Sequence, residues 1–409
     1  MPFAAVYTGA DCLKKAKEDS TEDSTYGLSD DEFQRWFAER LASHPLMEDY
    51  PRIQLLASRA VTRWRQRFRG NIQLWRKLFK GERVVKEIIE AAPVIDATIN
   101  IVENLPEGNG QKFTLIDLAS GRGYISMILS EVLPPQKVEK IYLIDKAWPL
   151  SGTVDALPHQ ISWEHLYGNR PEEQGGGCYY DSWPIPMHTS KQDLKQRCTR
   201  RQLRRAIFDK CQGPVLILAV HLCGTLSLRA VEMFNDYPEK VKYLALKPCC
   251  LPPIVHVKKK QIFSVGGHSF SAKAVCSSGR FKNNVWHGPP RSKLGKKFHV
   301  WSEHLFRCIN LQHAADDQTA EVDMPPPKMD MAESDTIDQE DLQCVVCSLD
   351  EASISREEFL EDELGSKTKL WKRVQLDSGY QNTYIFADRL PLTPAVWGNA
   401  GSNSASHDT

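Results

Sequence analysis

The segment Ile116-Asp117-Leu118-Ala119-Ser120-Gly121-Arg122-Gly123-Tyr124 indicates the fold of this chain most directly. It joins a short apolar run, Phe113–Leu118, to a helical pattern that ends before Pro134. A buried strand, a glycine turn and a helix in this order are typical of a parallel sheet covered by helices. Glycines at such a turn let the backbone approach a ligand, and the helix N-terminus behind them offers free N–H groups.

Strand and helix patterns keep alternating beyond this turn, as far as Leu246. Short apolar runs predict further strands, and periodic apolar residues predict the helices between them. The expected strands are Ile141–Asp145, Ile185–Met187, Pro214–Val220 and Val241–Leu246, and the expected helices are Gly123–Leu133, Gln192–Lys210 and Thr225–Asn235. We therefore predict an α/β fold with a doubly wound, mostly parallel sheet.

Segments of different composition flank and interrupt this pattern. Ser29, followed by three acidic residues, predicts a helix start, and apolar residues at helical spacing predict helices as far as Glu103. The predicted segments are a disordered N-terminus (1–28), a helical N-terminal region (29–106), a sheet-bearing domain (107–390) with a basic, irregular insertion (252–292) and an acidic, disordered insertion (313–341), and a disordered tail (391–409). Within that domain we also expect a helix at Lys296–Ile309 and late strands at Arg373–Leu376 and Thr383–Ala387.

The 52 basic and 52 acidic side chains cancel, but they are not mixed along the chain. Residues 191–210 hold eight Lys or Arg against two Asp, and residues 251–302 hold ten and no acid. Residues 311–365 hold seventeen acids against two basic residues. Basic blocks of this size are typical of a surface for a polyanion, nucleic acid first, and they can equally pair with the protein's own acidic segment.

The composition excludes several classes of protein. No run of 18 apolar residues predicts a membrane helix, and the first 20 residues lack a basic segment followed by an apolar one. The eleven cysteines are spread along the chain, as in a protein that is kept reduced. We therefore expect a cytoplasmic protein, with the nucleus left open.

Two kinds of nucleotide cofactor use a glycine turn of this sort. A dinucleotide site needs Gly-x-Gly-x-x-Gly/Ala, and Gly121, Gly123 and Ser126 nearly meet that pattern. An S-adenosylmethionine site commonly adds an acid at the strand end, where Asp117 stands. The Asp117 carboxylate suits the methionine ammonium and would repel a pyrophosphate.

Two more acids follow later strands. Asp145 ends the second expected strand, where an acid can accept both ribose hydroxyls of an adenosine in either cofactor. Asp193 follows the third strand and is placed to accept from the adenine amino group. Each of the two can instead be an ordinary turn or N-cap aspartate. Three acids at three successive strand ends favour the nucleotide site.

The block from Lys112 to Asn310 resembles the class I, Rossmann-like methyltransferases that depend on S-adenosylmethionine. Three motifs carry the resemblance: Asp117–Gly123, His221-Leu222-Cys223-Gly224 and Lys247-Pro248-Cys249-Cys250, after the first, fourth and fifth strands. The block is most similar to the branch that holds acceptor-stem tRNA ribose 2′-O-methyltransferases and uncharacterised methyltransferase-like proteins. The resemblance implies that the late strands form a terminal antiparallel hairpin that closes the sheet.

The resemblance also implies a set of site residues. The cofactor-binding candidates are Asp117, Ala119, Ser120, Gly121, Gly123, Tyr124, Asp145 and Asp193. His221 and Lys247 are the catalytic candidates, because methyl transfer to an alcohol needs a base, or a charge that lowers the alcohol pKa. His221 can instead bond the backbone and hold the next helix. Two features depart from the family: Ala119 replaces the first glycine, and the zinc fingers of the tRNA-modifying members are missing, since the N-terminus has only Cys12.

Several cysteines lie in or near positions that suit a metal ion. A zinc site formed by His221, Cys223, Cys249 and Cys250 is conceivable, but adjacent cysteines rarely hold one metal, and the usual spacing is C-x₂₋₄-C. Cys344-x-x-Cys347 has a chelating spacing without a second pair nearby, and it is more typical of a short apolar strand. We therefore assign no metal ligands from the sequence, and whether the first group of thiols binds a metal stays open.

The function predicted from these residues is methyl transfer from S-adenosylmethionine, with RNA as the expected substrate and a tRNA ribose hydroxyl among the acceptors. The basic segments 191–210 and 251–302 would hold the RNA. One alternative is a non-catalytic methyltransferase-like fold that binds RNA or protein, to which Ala119 is the sequence hint. Another is a nicotinamide-dependent oxidoreductase, against which Ser126 and Asp117 count. The methyl acceptor and the oligomeric state stay open.

Overall fold

The computed structural model describes Thr25 and residues 27–104, 112–150, 156–196, 198–277, 280–282, 285–311, 358–361, 368–373 and 381–390. The expectations for 313–341 and 391–409, and for most of 1–28, lie outside these residues. Within them, every helix is too short or too polar to cross a membrane.

In the described residues from Ser29 to Asn104, the α-helices before the sheet are α1 (Asp30–Ala42), α2 (Pro51–Arg67), α3 (Ile72–Leu78) and α4 (Gly81–Asn104). Ser29 caps α1, because its hydroxyl accepts from the N–H of Glu32 while the Glu32 carboxylate accepts from the N–H of Ser29. This reciprocal capping box satisfies two backbone donors that a helix start otherwise leaves unpaired. The predicted helical N-terminal region is therefore confirmed.

An eight-stranded sheet forms the centre of the molecule. Its parallel part contains β1 (Phe113–Leu118), β2 (Val138–Asp145), β3 (Met187–Lys191), β4 (Val215–Leu222) and β5 (Val241–Pro248), in the spatial order β3-β2-β1-β4-β5. Its antiparallel part continues past β5 with β12 (Thr383–Asp388), β11 (Thr368–Arg373) and β10 (Glu358–Glu361). The chain winds outward from β1 to β3 and then returns to β4, so the strand order switches direction between β1 and β4. In sheets of this kind the ligand lies outside the carboxyl ends of the strands at that switch.

Helices connect the parallel strands and cover both faces of the sheet. The connecting helices are α5 (Tyr124–Val132), α6 (Glu164–Tyr167), α7 (Cys198–Ala206) and α8 (Leu226–Asp236). Successive residues of a strand face opposite ways, so β1 serves two cores. Leu115 packs with the N-terminal helices and α5, whereas Ile116 packs with α7 and α8. The doubly wound, mostly parallel sheet is thereby confirmed.

Several element boundaries differ from the prediction, and three of them have local causes or clear shifts. β3 begins at Met187 rather than Ile185, because Pro184 and Pro186 have no N–H to donate to a ladder. The helix expected from Gln192 begins only at Cys198, because Asp193 forms a turn in which its side chain accepts from the N–H of Lys195. The penultimate strand lies at Thr368–Arg373, earlier than expected.

The prediction of an irregular segment at 252–292 is wrong. This segment contains two hairpins, β6 (Ile262–Val265) with β7 (His268–Ser271) and β8 (Arg280–Lys282) with β9 (Val285–His287), and two short helices, α9 (Val255–Lys258) and α10 (Ala272–Val275). Gly266-Gly267 makes the first hairpin turn, with positive φ at both residues. A Gly-Gly pair is a signal for a two-residue hairpin as much as for a loop. The expected helix after this segment is present as α11 (Arg291–Arg307).

Candidate functional site

The turn between β1 and α5 has three residues in the left-handed backbone region. Gly121 has φ 54° and Gly123 has φ 84°, which glycine adopts without strain. Ala119 has φ 56°, a conformation that costs an L-residue about 1–2 kcal/mol. The substitution of the usual first glycine by Ala119 therefore affects backbone strain, and not only the space inside the turn.

The two glycines of the turn have different surroundings. A Cβ atom at Gly123 would lie 2.3 Å from Leu143 Cδ2, so this glycine permits close packing of the turn on β2. A Cβ atom at Gly121 would meet no heavy atom within 4 Å. The Gly121 side of the turn is thus open, as an approach path for a ligand requires.

Asp145, at the end of β2, holds the turn in place. Its Oδ2 accepts from the N–H of Gly121 at 3.2 Å, and its Oδ1 accepts from the N–H of Ala147 at 2.8 Å. The side chain is half-buried, so it remains partly open to solvent. Each carboxylate oxygen has two lone pairs and can accept a second bond from a ligand hydroxyl.

Asp117, at the end of β1, is almost fully buried, with 2% of its surface exposed. Its Oδ2 accepts from the hydroxyl of Ser126 at 2.8 Å. Burial raises the pKa of Asp117 to about 7, the negative charges of Asp145 and Glu87 add to this rise, and the hydrogen bond from Ser126 opposes it. The turn is therefore an acidic environment in which a positive ligand group would be stabilised.

The other predicted cofactor residues are placed in three different ways. Asp193 follows β3 and its side chain closes the turn at Lys195, while the neighbouring N–H of Gln192 donates to the Asp145 carbonyl at 3.2 Å. Ser120 Oγ accepts from the indole of Trp148 at 3.2 Å. Tyr124 is in the core, where its hydroxyl donates to a carbonyl of α3 at 2.6 Å. Its side chain is thus used for packing, and only its backbone lies at the turn.

The N-terminal helices and the segment after β2 brace the glycine turn. The Arg122 guanidinium donates to the carbonyl of Lys77, at the end of α3. His165 is buried and its Nε2 lies 3.1 Å from the Arg122 carbonyl. Burial lowers the pKa of His165 to about 4, so at neutral pH its ring is uncharged and Nε2–H donates to that carbonyl. Motif reasoning did not identify these braces, because they come from distant parts of the chain.

His221 lies at a bulge near the end of β4 and has φ 63°, a strained conformation for a non-glycine residue. Its Nε2 lies 3.4 Å from Glu87 Oε2 and 3.3 Å from Glu90 Oε2, at angles that suit neither contact as a hydrogen bond. One third of the side chain is exposed. His221 is therefore within reach of a substrate and has two carboxylates behind it.

Lys247, on β5, is buried and forms an ion pair with Glu90 of α4, the helix that also carries Glu87. Its Nζ lies 3.0 Å from Glu90 Oε2, and the backbone carbonyl of Glu90 accepts from the Tyr384 hydroxyl at 2.7 Å. Strands β4, β5 and β12 thus converge on one turn of α4. His221 and Lys247, predicted as a pair from their strand ends, are brought together through Glu90.

Glu87 and Glu90 are the site residues that sequence analysis missed. They are three positions apart and lie on one face of α4. Burial raises the pKa of Glu87, but the contact with His221 and the charges of Arg83 and Lys86 outweigh it and leave the pKa lowered. A signal was present, since Glu90 interrupts an apolar run, Ile88-Ile89-Glu90-Ala91-Ala92, where a charge needs a partner.

The three strand-end cysteines form a compact cluster. Cys223 Sγ lies 3.0 Å from Cys249 Sγ, which lies 3.7 Å from Cys250 Sγ. Hydrogen bonds from the other two thiols lower the pKa of Cys223. Hydrogen bonds to Cys223 raise the pKa values of Cys249 and Cys250, so the cluster favours a thiolate at Cys223. The imidazole of His221 lies against the glutamates instead and is not part of this group of sulfur atoms.

The residues of the turn fit S-adenosylmethionine better than a dinucleotide. Three carboxylates, Asp117, Asp145 and Glu87, are close enough for their charges to interact. An acidic site attracts the sulfonium and ammonium charges of S-adenosylmethionine and repels a pyrophosphate. The open space beside Gly121 leaves room for the bound group.

Comparison with known proteins agrees with this geometry. Residues 84–255 match the family model of a methyltransferase domain. Among solved structures, the cyclopropane-fatty-acyl-phospholipid synthase-like protein of Lactobacillus casei shares 14% sequence identity with this chain, over 38% of this chain and 50% of that protein, with a TM-score of 0.21. This chain thus spans half the length of that protein, and so weak a likeness supports no further conclusion. A search of the curated proteins finds no match. Residues 84–255 are thus similar in sequence to a methyltransferase domain, and the strand order is that of the doubly wound, class I fold.

Proposed function

We propose that this protein transfers a methyl group from S-adenosylmethionine to RNA. The observation that carries the proposal is the acid-lined glycine turn, in which Asp145 accepts the N–H of Gly121 at 3.2 Å beside the buried Asp117. Asp117 would hold the methionine ammonium, Asp145 the ribose hydroxyls and Asp193 the adenine amino group. S-adenosylmethionine, when bound, supplies an electrophilic methyl group.

His221 is proposed as the catalytic base. Its partly exposed ring can accept the proton that an acceptor hydroxyl or amine loses as the new bond forms. Glu87 and Glu90, within 3.4 Å of Nε2, stabilise the imidazolium that results. Lys247 pairs with Glu90 and has no free lone pair while it does so, which makes it a positioning residue rather than a base.

The proposal of an RNA substrate is supported by the placement of the two basic segments. Leu203 of segment 191–210 and Phe298 of segment 251–302 belong to one hydrophobic cluster, on one face of the sheet. The side chains of Arg201, Arg205 and the three lysines at 258–260 are exposed. Exposed cations on both segments suit contacts with a phosphate backbone. The tRNA ribose hydroxyl remains one acceptor among several RNA positions.

The first test is calorimetric titration with S-adenosylmethionine, S-adenosylhomocysteine and NAD. We expect micromolar binding of the two sulfur ligands and none of NAD. Asp145→Ala should weaken binding at least tenfold, because it removes the hydroxyl acceptor and frees the Gly121 N–H. Absence of binding of both sulfur ligands, or binding of NAD, would overturn the assignment of the cofactor.

The second test follows tritiated methyl groups into RNA and protein fractions. We expect label in RNA, and we expect His221→Gln to lower kcat about 100-fold while the affinity for S-adenosylmethionine stays unchanged, since a positioned base contributes about 10²–10⁴-fold. Label confined to protein would exclude RNA as the substrate while retaining the methyl transfer. Cofactor binding without label in either fraction would favour a non-catalytic binding module.

A further inference from the structure

The cysteine cluster at the ends of β4 and β5 has no role in the methyl transfer proposed above. Cys223 directly follows β4, and Cys249 and Cys250 directly follow β5. These loops are tied together, because the N–H of Gly224 donates to the carbonyl of Cys250 at 3.1 Å. The sulfur atoms are thus brought together by a backbone contact between two adjacent strand ends.

Cys249 and Cys250 are neighbours in the sequence, and their sulfur atoms nevertheless lie close together. In a regular strand, neighbouring side chains point to opposite faces. β5 ends at Pro248, so the two cysteines lie beyond the strand, and their sulfur atoms are 3.7 Å apart. This is close to the distance of about 3.8 Å between two thiolates on one tetrahedral zinc ion with Zn–S bonds of about 2.3 Å.

The three sulfur atoms have room for one common metal ion. Their separations are 3.0 Å, 3.7 Å and at most 4.8 Å. A triangle with these sides has a centre no more than about 2.4 Å from each corner, which is near the Zn–S bond length. Sulfur atoms at 3.0 Å are closer than non-bonded sulfurs prefer, and a shared cation would relieve that contact by a small opening of the cluster.

We propose that Cys223, Cys249 and Cys250 bind one zinc ion through three sulfur ligands, with the fourth coordination position open to solvent. Soft sulfur ligands select a metal of this kind over Mg²⁺ or Ca²⁺. Cys223 and Cys250 are exposed, so the ion can enter from solvent and keep a water molecule. Three protein ligands with one open position are typical of zinc sites that activate a bound group rather than of closed structural sites. This inference does not depend on the proposed methyl transfer.

The test is metal content of the reduced full-length chain after equilibration with zinc chloride and removal of excess metal. We expect one zinc per chain by mass spectrometry. Cys223→Ser and Cys250→Ser should each weaken zinc binding about 100-fold or more, measured by competition with a chromophoric chelator. Cys198→Ser, a half-buried cysteine on α7 outside the cluster, is the matched control and should keep the zinc.

Cobalt substitution gives a second readout that does not depend on activity. Co²⁺ bound to three thiolates should show intense sulfur-to-cobalt charge-transfer absorption, and each of the two exposed-cysteine variants should reduce it. Circular dichroism shows whether each variant is folded. This control matters most for Cys249→Ser, because Cys249 is buried.

Three results would overturn the proposal. The first is no zinc uptake by reduced, folded protein. The second is a thiol count of nine after isolation together with no zinc, which would indicate a disulfide between two of the eleven cysteines. The third is loss of zinc in Cys344→Ser/Cys347→Ser but not in Cys223→Ser/Cys250→Ser, which would move the metal to the other cysteine pair.

Discussion

Lys247 and Glu90 form a buried ion pair, with 3.0 Å between Nζ and Oε2. The two residues are 157 positions apart and join the end of β5 to the middle of α4. The same glutamate oxygen lies 3.3 Å from the His221 ring. The N-terminal helical region is therefore part of the candidate site, because it supplies the carboxylates behind the proposed base.

The first prediction concerns this ion pair. Lys247→Met should destabilise the fold by about 3–5 kcal/mol, because it leaves a carboxylate buried without its main partner. Lys86→Met is the matched control, since the exposed Lys86 contacts the same Glu90 at 3.6 Å and should cost less than about 1 kcal/mol. Urea denaturation measures both changes. Lys247→Met/Glu90→Gln should recover part of the loss, and equal effects of the two lysine substitutions would contradict this account.

The second prediction concerns the pH dependence of stability at Asp117. Its folded pKa is about 7, whereas the value in an unfolded chain is close to 3.8, so the folded state favours the neutral form. Its contribution to stability is fully present below about pH 4 and is lost as the pH rises toward 7. Asp117→Asn should therefore stabilise the protein at pH 8, on the order of 2–4 kcal/mol, and change little at pH 4. Denaturation at the two pH values measures this difference.

Asp388 provides a matched control for Asp117. Asp388, at the end of β12, is also buried, and burial also raises its pKa to about 7. Its carboxylate accepts from the N–H of Leu390 at 2.7 Å. Asp388→Asn should show the same pH signature in stability and leave S-adenosylmethionine binding unchanged. Asp117→Asn should weaken that binding. Equal binding by the two variants would separate Asp117 from the cofactor.

The third prediction concerns the backbone of the glycine turn. Ala119→Gly should stabilise the protein by about 0–1 kcal/mol, because relief of the strained φ of 56° outweighs the greater entropy of glycine in the unfolded chain. Gly123→Ala should destabilise it by 2 kcal/mol or more, since the new Cβ would lie 2.3 Å from Leu143 Cδ2. Thermal melts of the two variants check the prediction. A loss of stability in Ala119→Gly would show that the methyl group of Ala119 has a packing role.

The fourth prediction concerns RNA binding. Arg201→Ala and Arg205→Ala remove exposed charges of α7, and each should weaken RNA binding and reduce the slope of log affinity against log salt by about one. Arg200→Ala should have less effect, because Arg200 already pairs with Asp236 at 2.6 Å. Fluorescence anisotropy over a range of salt concentrations measures the slopes. If the acidic segment 311–365 instead neutralises these arginines, RNA will bind only after that segment is deleted.

Patterns with local causes were predictable from sequence. β1 and the start of the following helix were expected within one residue of their observed ends, since a short apolar run beside a glycine turn has few other structures available. The capping box at Ser29 is also local, as its partner is three residues away. The error at 252–292 has a local cause too, because a Gly-Gly pair such as Gly266-Gly267 fits an irregular loop as well as a hairpin turn.

The alternation of strands and helices from β1 to β5, and the glycine turn with acids at three strand ends, could be predicted from the sequence, because those features depend on residues close to one another in the chain. Which distant partners meet depends on the tertiary structure. Glu87 and Glu90 reach His221, and Cys223 reaches Cys249 and Cys250, because parallel strands bring their carboxyl ends to one edge and α4 packs against it. Contacts across such distances depend on how two faces pack, and no local pattern encodes that packing.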